Sequence, residues 1–165
     1  MKTVKIKELS QKNFRIYGSF CNMINPDWQK LGEEPCEFYR DMNILNLGNS
    51  TNAAFSVSRV CDRPKIIDNL EFHRTTGEAI LPLDGDIIMQ VAPASQGTEP
   101  PLDSVEAFYV QKGTLVTLNR GVWHGGSFAD NTKCVNILIV LPERIYSDDC
   151  YIVQIPPENH IELAE

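Results

Sequence analysis

The sequence predicts an all-β domain, a sandwich or barrel with one short N-terminal helix. Short runs of alternating or wholly apolar residues recur along the chain. Turns built on Gly, Asp, Asn and Pro separate them at near-regular intervals. Helix signals are confined to one place near the N-terminus. With 165 residues, the chain suits one domain with a sizeable core.

In order, residues 3–7 set Val4 and Ile6 against polar neighbours, the period-2 pattern of a strand. Ser10 is the expected N-cap of a short helix, with Phe14 and Tyr17 on one face and Gly18 as its stop. Further strands are expected over residues 42–47, 54–60, 78–82, 87–92, 105–110, 114–118, 135–141 and 151–155. The turns between them include Gly48-Asn-Ser, Asp62-Arg-Pro, Asp84-Gly-Asp, Lys112-Gly and Asn119-Arg-Gly. The proline-rich stretch 93–101 reads as an exposed hairpin excursion. It is not a domain boundary, because neither flank could bury a core alone.

Composition excludes several partners. The net charge is −7 and the pI about 5.0, which argues against nucleic acid and against anionic lipid. A small anionic substrate remains compatible, since one buried cation overrides the global charge locally. Residues 1–7 alternate charge with apolar residues and form no leader, and no apolar run approaches the ~20 residues of a membrane span. Cytoplasmic location is therefore expected. Five scattered cysteines, without a Cys-x-x-Cys pair, are read as free thiols in a reducing compartment.

Two segments carry chemistry. The first runs Glu71-Phe-His73-Arg-Thr-Thr-Gly-Glu78 and closes at Gly85; the second runs from Gly113 through Asn119-Arg-Gly121 to His124. Residues 71 and 73 share one face of a strand, and Glu78 can return on its neighbour. His124 arrives from far along the chain. Two imidazoles with one or two carboxylates suit Mn, Fe, Ni or Zn. His160, near a polar tail, is expected to be solvated.

These segments resemble the two motifs of the cupin superfamily. His73, Glu78 and Gly85 fall on the second histidine, the glutamate and the closing glycine of its first motif. Gly113, Gly121 and His124 fall on the second motif. Glu71 stands where the first histidine would be, Asn119 replaces a proline and Phe128 an asparagine. The resemblance implies a cupin-type double-stranded β-helix (jelly-roll) barrel, with Glu71, His73, Glu78 and His124 as metal ligands.

Within that superfamily the chain resembles the ureidoglycolate lyase family over nearly its whole length. The resemblance rests on Leu9-Ser10 followed by Phe14 and Tyr17-Gly18, on Ser58-Arg59, on residues 71–85, on Arg120-Gly-Val-Trp123-His124, and on residues 149–156. The family usually carries glutamine where this chain has Glu78. The resemblance implies a carbon–nitrogen lyase that cleaves ureidoglycolate, or a close 2-hydroxy-acid amide, to glyoxylate and urea. Such a reaction needs a base for the hydroxyl proton and an acid for the departing nitrogen, and His73, His124 and Glu78 are the candidates.

The substrate carboxylate needs a cationic partner. Arg59 is the leading candidate, because its alternation with Phe55 and Val57 predicts an inward face; Arg74 and Arg120 are further clamps. Trp123 is a candidate pocket wall. Two other classes stay open: a metal-dependent cupin isomerase or dioxygenase, and a non-catalytic small-molecule binding module. A homodimer paired along the edge of strand 3–7 is expected.

Overall fold

The computed structural model describes residues 1–164. The chain forms two large sheets and a small hairpin. The nine-stranded sheet runs in the order β15 (Tyr151–Gln154), β7 (Asn69–Phe72), β12 (Trp123–His124), β9 (Ile87–Ala92), β10 (Glu106–Val110), β1 (Lys2–Glu8), β16 (Ile161–Ala164) and β6 (Ile66–Ile67), with β13 (Phe128–Ala129) also against β9. The five-stranded sheet runs β2 (Gly18–Asn22), β11 (Thr114–Leu118), β8 (Glu78–Pro82), β14 (Cys134–Pro142) and β5 (Ala53–Cys61). A separate hairpin pairs β3 (Lys30–Glu33) with β4 (Cys36–Tyr39). The expected strands at 78–82, 87–92 and 114–118 are present with those bounds.

One end of the nine-stranded sheet is β6, and β7, the strand next to the other end, follows it after a single residue, so the sheet rolls on itself. The roll creates two cores. Between the sheets, Met89 and Val91 of β9, Phe108 of β10, Val116 of β11 and Ile137 of β14 pack with Phe14 and Tyr17. Inside the roll, Leu70 and Phe72 meet Ile88, Ala107, Trp123, Ile161 and Leu163. Each fully buried Ile, Leu or Phe contributes ~1.5–3 kcal/mol. Alternation on β7 therefore places Leu70 and Phe72 in the second core and turns Glu71 toward the space between the sheets.

Helix α1 (Gln11–Phe14) is a single turn. Its N-cap is Ser10, which exchanges hydrogen bonds with Asn13 in a capping box. Phe14 and Tyr17 are both buried, as expected. Gly18 does not serve as the helix stop. It opens β2, where an added Cβ would lie 1.8 Å from the Thr117 carbonyl oxygen, so only glycine permits β2 to pair with β11.

Other expectations change. Residues 42–47 are not a strand; Asn43 accepts from the Ser19 hydroxyl, and Asn46 gives its carbonyl to Gly77 N–H. β1 pairs with β16 through residues 2–5 and with β10 through residues 6–8, each parallel. Among the described residues, no helix is long and apolar enough to cross a membrane.

The expectation of five free thiols also fails. Cys61 and Cys134 face each other across β5 and β14 and form a disulfide; Cys21, Cys36 and Cys150 are free. The two cysteines are 73 residues apart. Loop-closure entropy assigns such a cross-link ~4 kcal/mol, with typical measured values of ~2–4 kcal/mol. Thiol titration of the unfolded protein should count three groups, and five after reduction. Replacing both cysteines with serine should lower the urea midpoint accordingly.

Candidate active site

Between the sheets lies a cavity of about 90 Å³, with His73, Glu78, His124 and Glu71 in its wall. Three of these four are within direct reach of one another. One oxygen of Glu78, Oε2, lies 3.1 Å from His73 Nε2 and 2.8 Å from His124 Nε2. Glu71 stands at the side: its Oε1 is 3.9 Å from His124 Nε2, and its Oε2 accepts from the Cys150 thiol at 3.1 Å. Register explains the meeting, since β12 sets His124 directly opposite Glu71 of β7. Glu78 is brought in as the first residue of β8.

Both imidazoles are aimed from behind. His73 Nδ1 donates to the Asp149 carbonyl at 2.6 Å, and His124 Nδ1 donates to the Val122 carbonyl at 3.0 Å. A carbonyl can only accept, so Nδ1 carries hydrogen in each ring and Nε2 is presented to Glu78. Asp149 does more. Its carboxylate accepts from the backbone N–H of Arg74 and Thr75 and from the Thr75 hydroxyl, fixing the turn that follows His73.

All three members of the cluster are buried. Burial opposes ionisation of Glu78, but His124 and His73 outweigh it and hold the carboxyl at about 2. Burial likewise opposes protonation of His124, and Glu78 overrides it, raising the imidazole to about 9. Burial and the Glu71 hydrogen bond push the Cys150 thiol up to about 12, which keeps it a donor.

The remaining wall is mixed: Ile80, Ile137, Ile139 and Leu141 are apolar, and Ser58, Gly125, Gly126, Ser127 and Tyr146 complete it. Residues 125–127 form a β-bulge. Opposite β9, His124 pairs with Val91 but Phe128 pairs with Ile88, so three residues span what Met89 and Gln90 span. An added Cβ at Gly125 would sit 2.7 Å from Gln90 Nε2 and 3.1 Å from the Asn69 carbonyl oxygen, so a larger residue there must displace the Gln90 amide. Arg63 holds the bulge in place by donating to the Gly126 carbonyl at 2.8 Å.

The four other predicted residues lie elsewhere. Arg59 is on the outer face of β5 with Phe55 and Val57, which are 73% and 62% exposed. The inward face carries Ser56 and Ser58 instead, which overturns the inward placement of Arg59. Arg74 is exposed, lies over the Tyr151 ring at 4.6 Å and borders a separate surface pocket. Arg120 is exposed in the turn before β12. Trp123 belongs to the core inside the roll, 4.4 Å from Phe72, with Nε1 donating to Ser95. Trp123 is therefore no pocket wall. His160 Nε2 donates to the Ile155 carbonyl at 3.0 Å, away from the cavity. Sequence reasoning missed Ser58, Ser127, Tyr146, Asp149 and Cys150; of these, Ser58, Asp149 and Cys150 fell in segments that the family resemblance covered.

The described geometry has known relatives. The ureidoglycolate lyase family profile matches residues 1–162. The chain belongs to that family. With that membership it is an enzyme of the ureidoglycolate lyase type. It is 26% identical over 127 residues to a ureidoglycolate lyase of Rhodobacter capsulatus, covering 76% of this chain and 78% of the relative. Among solved structures, the dTDP sugar isomerase of Desulfovibrio desulfuricans G20 overlays with a TM-score of 0.50 at 12% identity, over 84% of this chain and 83% of that one. Oxalate decarboxylase of Bacillus subtilis, a protein with Mn(II) centres, overlays at 0.44 and 17% identity, over 62% of this chain and 23% of its own length. This family member has the cupin-type β fold.

Proposed function

We propose that the protein cleaves ureidoglycolate, or a close 2-hydroxy-acid amide, to glyoxylate and urea in the cavity between the sheets. The observation that carries the reading is the His73–Glu78–His124 cluster in a cavity of about 90 Å³. That volume is well below the ~300–1,000 Å³ of sites for larger ligands, which favours a substrate of this size.

No lysine or arginine lines the cavity among the described residues. The substrate's carboxylate must therefore meet the imidazoles or a cation that they hold. The cluster fits a divalent metal: its ligand atoms lie within 4.8 Å of one another. Both rings are fixed through Nδ1, the arrangement that orients metal-bound histidines. His73, Glu78 and His124 would hold Mn, Ni, Fe or Zn. Such an ion supplies Lewis acidity that lowers the pKa of a substrate hydroxyl.

The chain's own groups handle the proton. Glu71 is outside the tight cluster and has Oε1 turned toward His124. It is placed to take the hydroxyl proton as the C–O bond becomes a carbonyl and the C–N bond breaks, then return the proton to the departing urea nitrogen. His124 and His73 orient the acid end throughout.

The test is urea and glyoxylate release from racemic ureidoglycolate, with and without chelator and added Mn or Ni. His124→Ala should lose turnover while keeping a folded circular-dichroism spectrum. Absence of turnover by the unaltered protein under every condition would sink the reading. One observation favours a second one: Glu78 in place of the family glutamine suits a metal-dependent isomerase or dioxygenase on another small substrate. Oxygen uptake would mark it.

A further inference from the structure

We propose that Ser58, Ser127 and Tyr146 form a hydroxyl-lined subsite that receives the neutral ureido end of the substrate. This rests on the activity proposed above and adds which end of the molecule lies where.

The three side chains reach one cavity from three elements. Ser58 comes from the inward face of β5, Ser127 from the bulge after β12, and Tyr146 from helix α2 (Ile145–Asp148). Among the described residues, no hydrogen bond within the protein uses any of the three hydroxyls; Ser127 spends only its carbonyl, on Arg63. Neither serine oxygen is a buried orphan, and Tyr146 is exposed. Three uncommitted hydroxyls thus face the same small space.

Charge decides what they can bind. The cavity holds two carboxylates, Glu71 and Glu78, and no lysine or arginine. A carboxylate placed against the hydroxyls would gain no cation, so the acid end belongs at the imidazoles. A hydroxyl both donates and accepts. That suits a ureido group, which offers one carbonyl acceptor and several N–H donors. Tyr146 stays a donor, since burial and then Glu78 and Glu71 raise its pKa. It is 66% exposed overall, which puts it at the mouth, where the ureido end of a substrate anchored at the histidines would emerge.

The test compares two ligands by calorimetry on the intact chain: N-carbamoylglycine, which has the ureido and acid ends but no hydroxyl to eliminate from, and glycolate, which lacks the ureido end. Tyr146→Phe, Ser58→Ala and Ser127→Ala should each weaken N-carbamoylglycine ~3- to 10-fold, the range of one neutral hydrogen bond. Glycolate should change less than twofold. Equal losses for both ligands would place the hydroxyls at the acid end and overturn the proposal. No loss for either, or no binding of N-carbamoylglycine by the unaltered protein, would overturn it as well. These affinities need no turnover, so failure of the lyase assay would remove the activity reading without deciding the subsite.

Discussion

Glu78→Ala should lower kcat/KM for ureidoglycolate by ~10³-fold, within the range that a proton-handling or ligand group supplies. The physical reason is that one oxygen serves two rings, at 3.1 Å and 2.8 Å. Without it, both Nε2 atoms face a void in a buried site, and a protonated His124 loses its counter-charge. Breaking a buried pair from one side costs ~3–5 kcal/mol unless the remaining group neutralises, and His124 can neutralise. The variant should therefore remain folded, with the His124 pKa falling toward its ordinary value. Glu78→Gln separates charge from shape, because the amide keeps the volume and one acceptor oxygen. If Glu78 acts through its charge, Glu78→Gln loses both turnover and bound divalent ion. Full activity with glutamine, the residue its family usually carries there, would remove Glu78 from the chemistry. Steady-state rates, metal content and a urea titration on both variants make the comparison.

The same pair should give chelator-treated protein a stability that falls on both sides of a plateau. Glu78 is held at about 2, below its ordinary 4.5. Its contribution is complete above pH 4.5 and is lost as pH falls toward 2. His124 is raised from 6.5 to about 9, so its contribution is complete below pH 6.5 and is lost as pH rises toward 9. The plateau lies between about 4.5 and 6.5. Each limb is worth roughly 3 kcal/mol at 1.36 kcal/mol per pKa unit, but the limbs describe one interaction and do not add. Urea unfolding across the pH range checks this, and His124→Gln should flatten the alkaline limb. A stability curve rising steadily from pH 6.5 to 9 would contradict the pairing. Since ligation requires neutral imidazole, divalent-ion affinity should rise with pH over the interval in which stability falls.

Much of the site was readable because strands translate spacing into geometry. Residues 71 and 73 share a face of any strand, and the turn before β8 returns Glu78 to His73. The arginines failed for an equally local reason. Alternation on β5 separates Phe55, Val57 and Arg59 from Ser56 and Ser58, but does not say which set faces inward. Here the apolar set lies outside, beside Leu138 and Val140 of β14, and the cavity takes Ser58. Tyr146 had no such pattern, since a four-residue helix is too short for periodicity. The disulfide depended on the register of β14 against β5, a pairing of Cys61 with Cys134 that no neighbouring residue announces.

The position of β1 bears on how the chain is made. Residues 2–5 pair with 161–164, and residues 6–8 with 107–109, so the first strand synthesised sits between two of the later ones. During translation, Val4 has nothing to pair with until residues 161–164 have been made. The nine-stranded sheet cannot close before then, and folding is dominated by contacts distant in sequence. Nascent chains should be held open by a short C-terminal truncation, with the roll's interior exposed to holdase chaperones. Residues 161–164 act as the latch that ends that exposure.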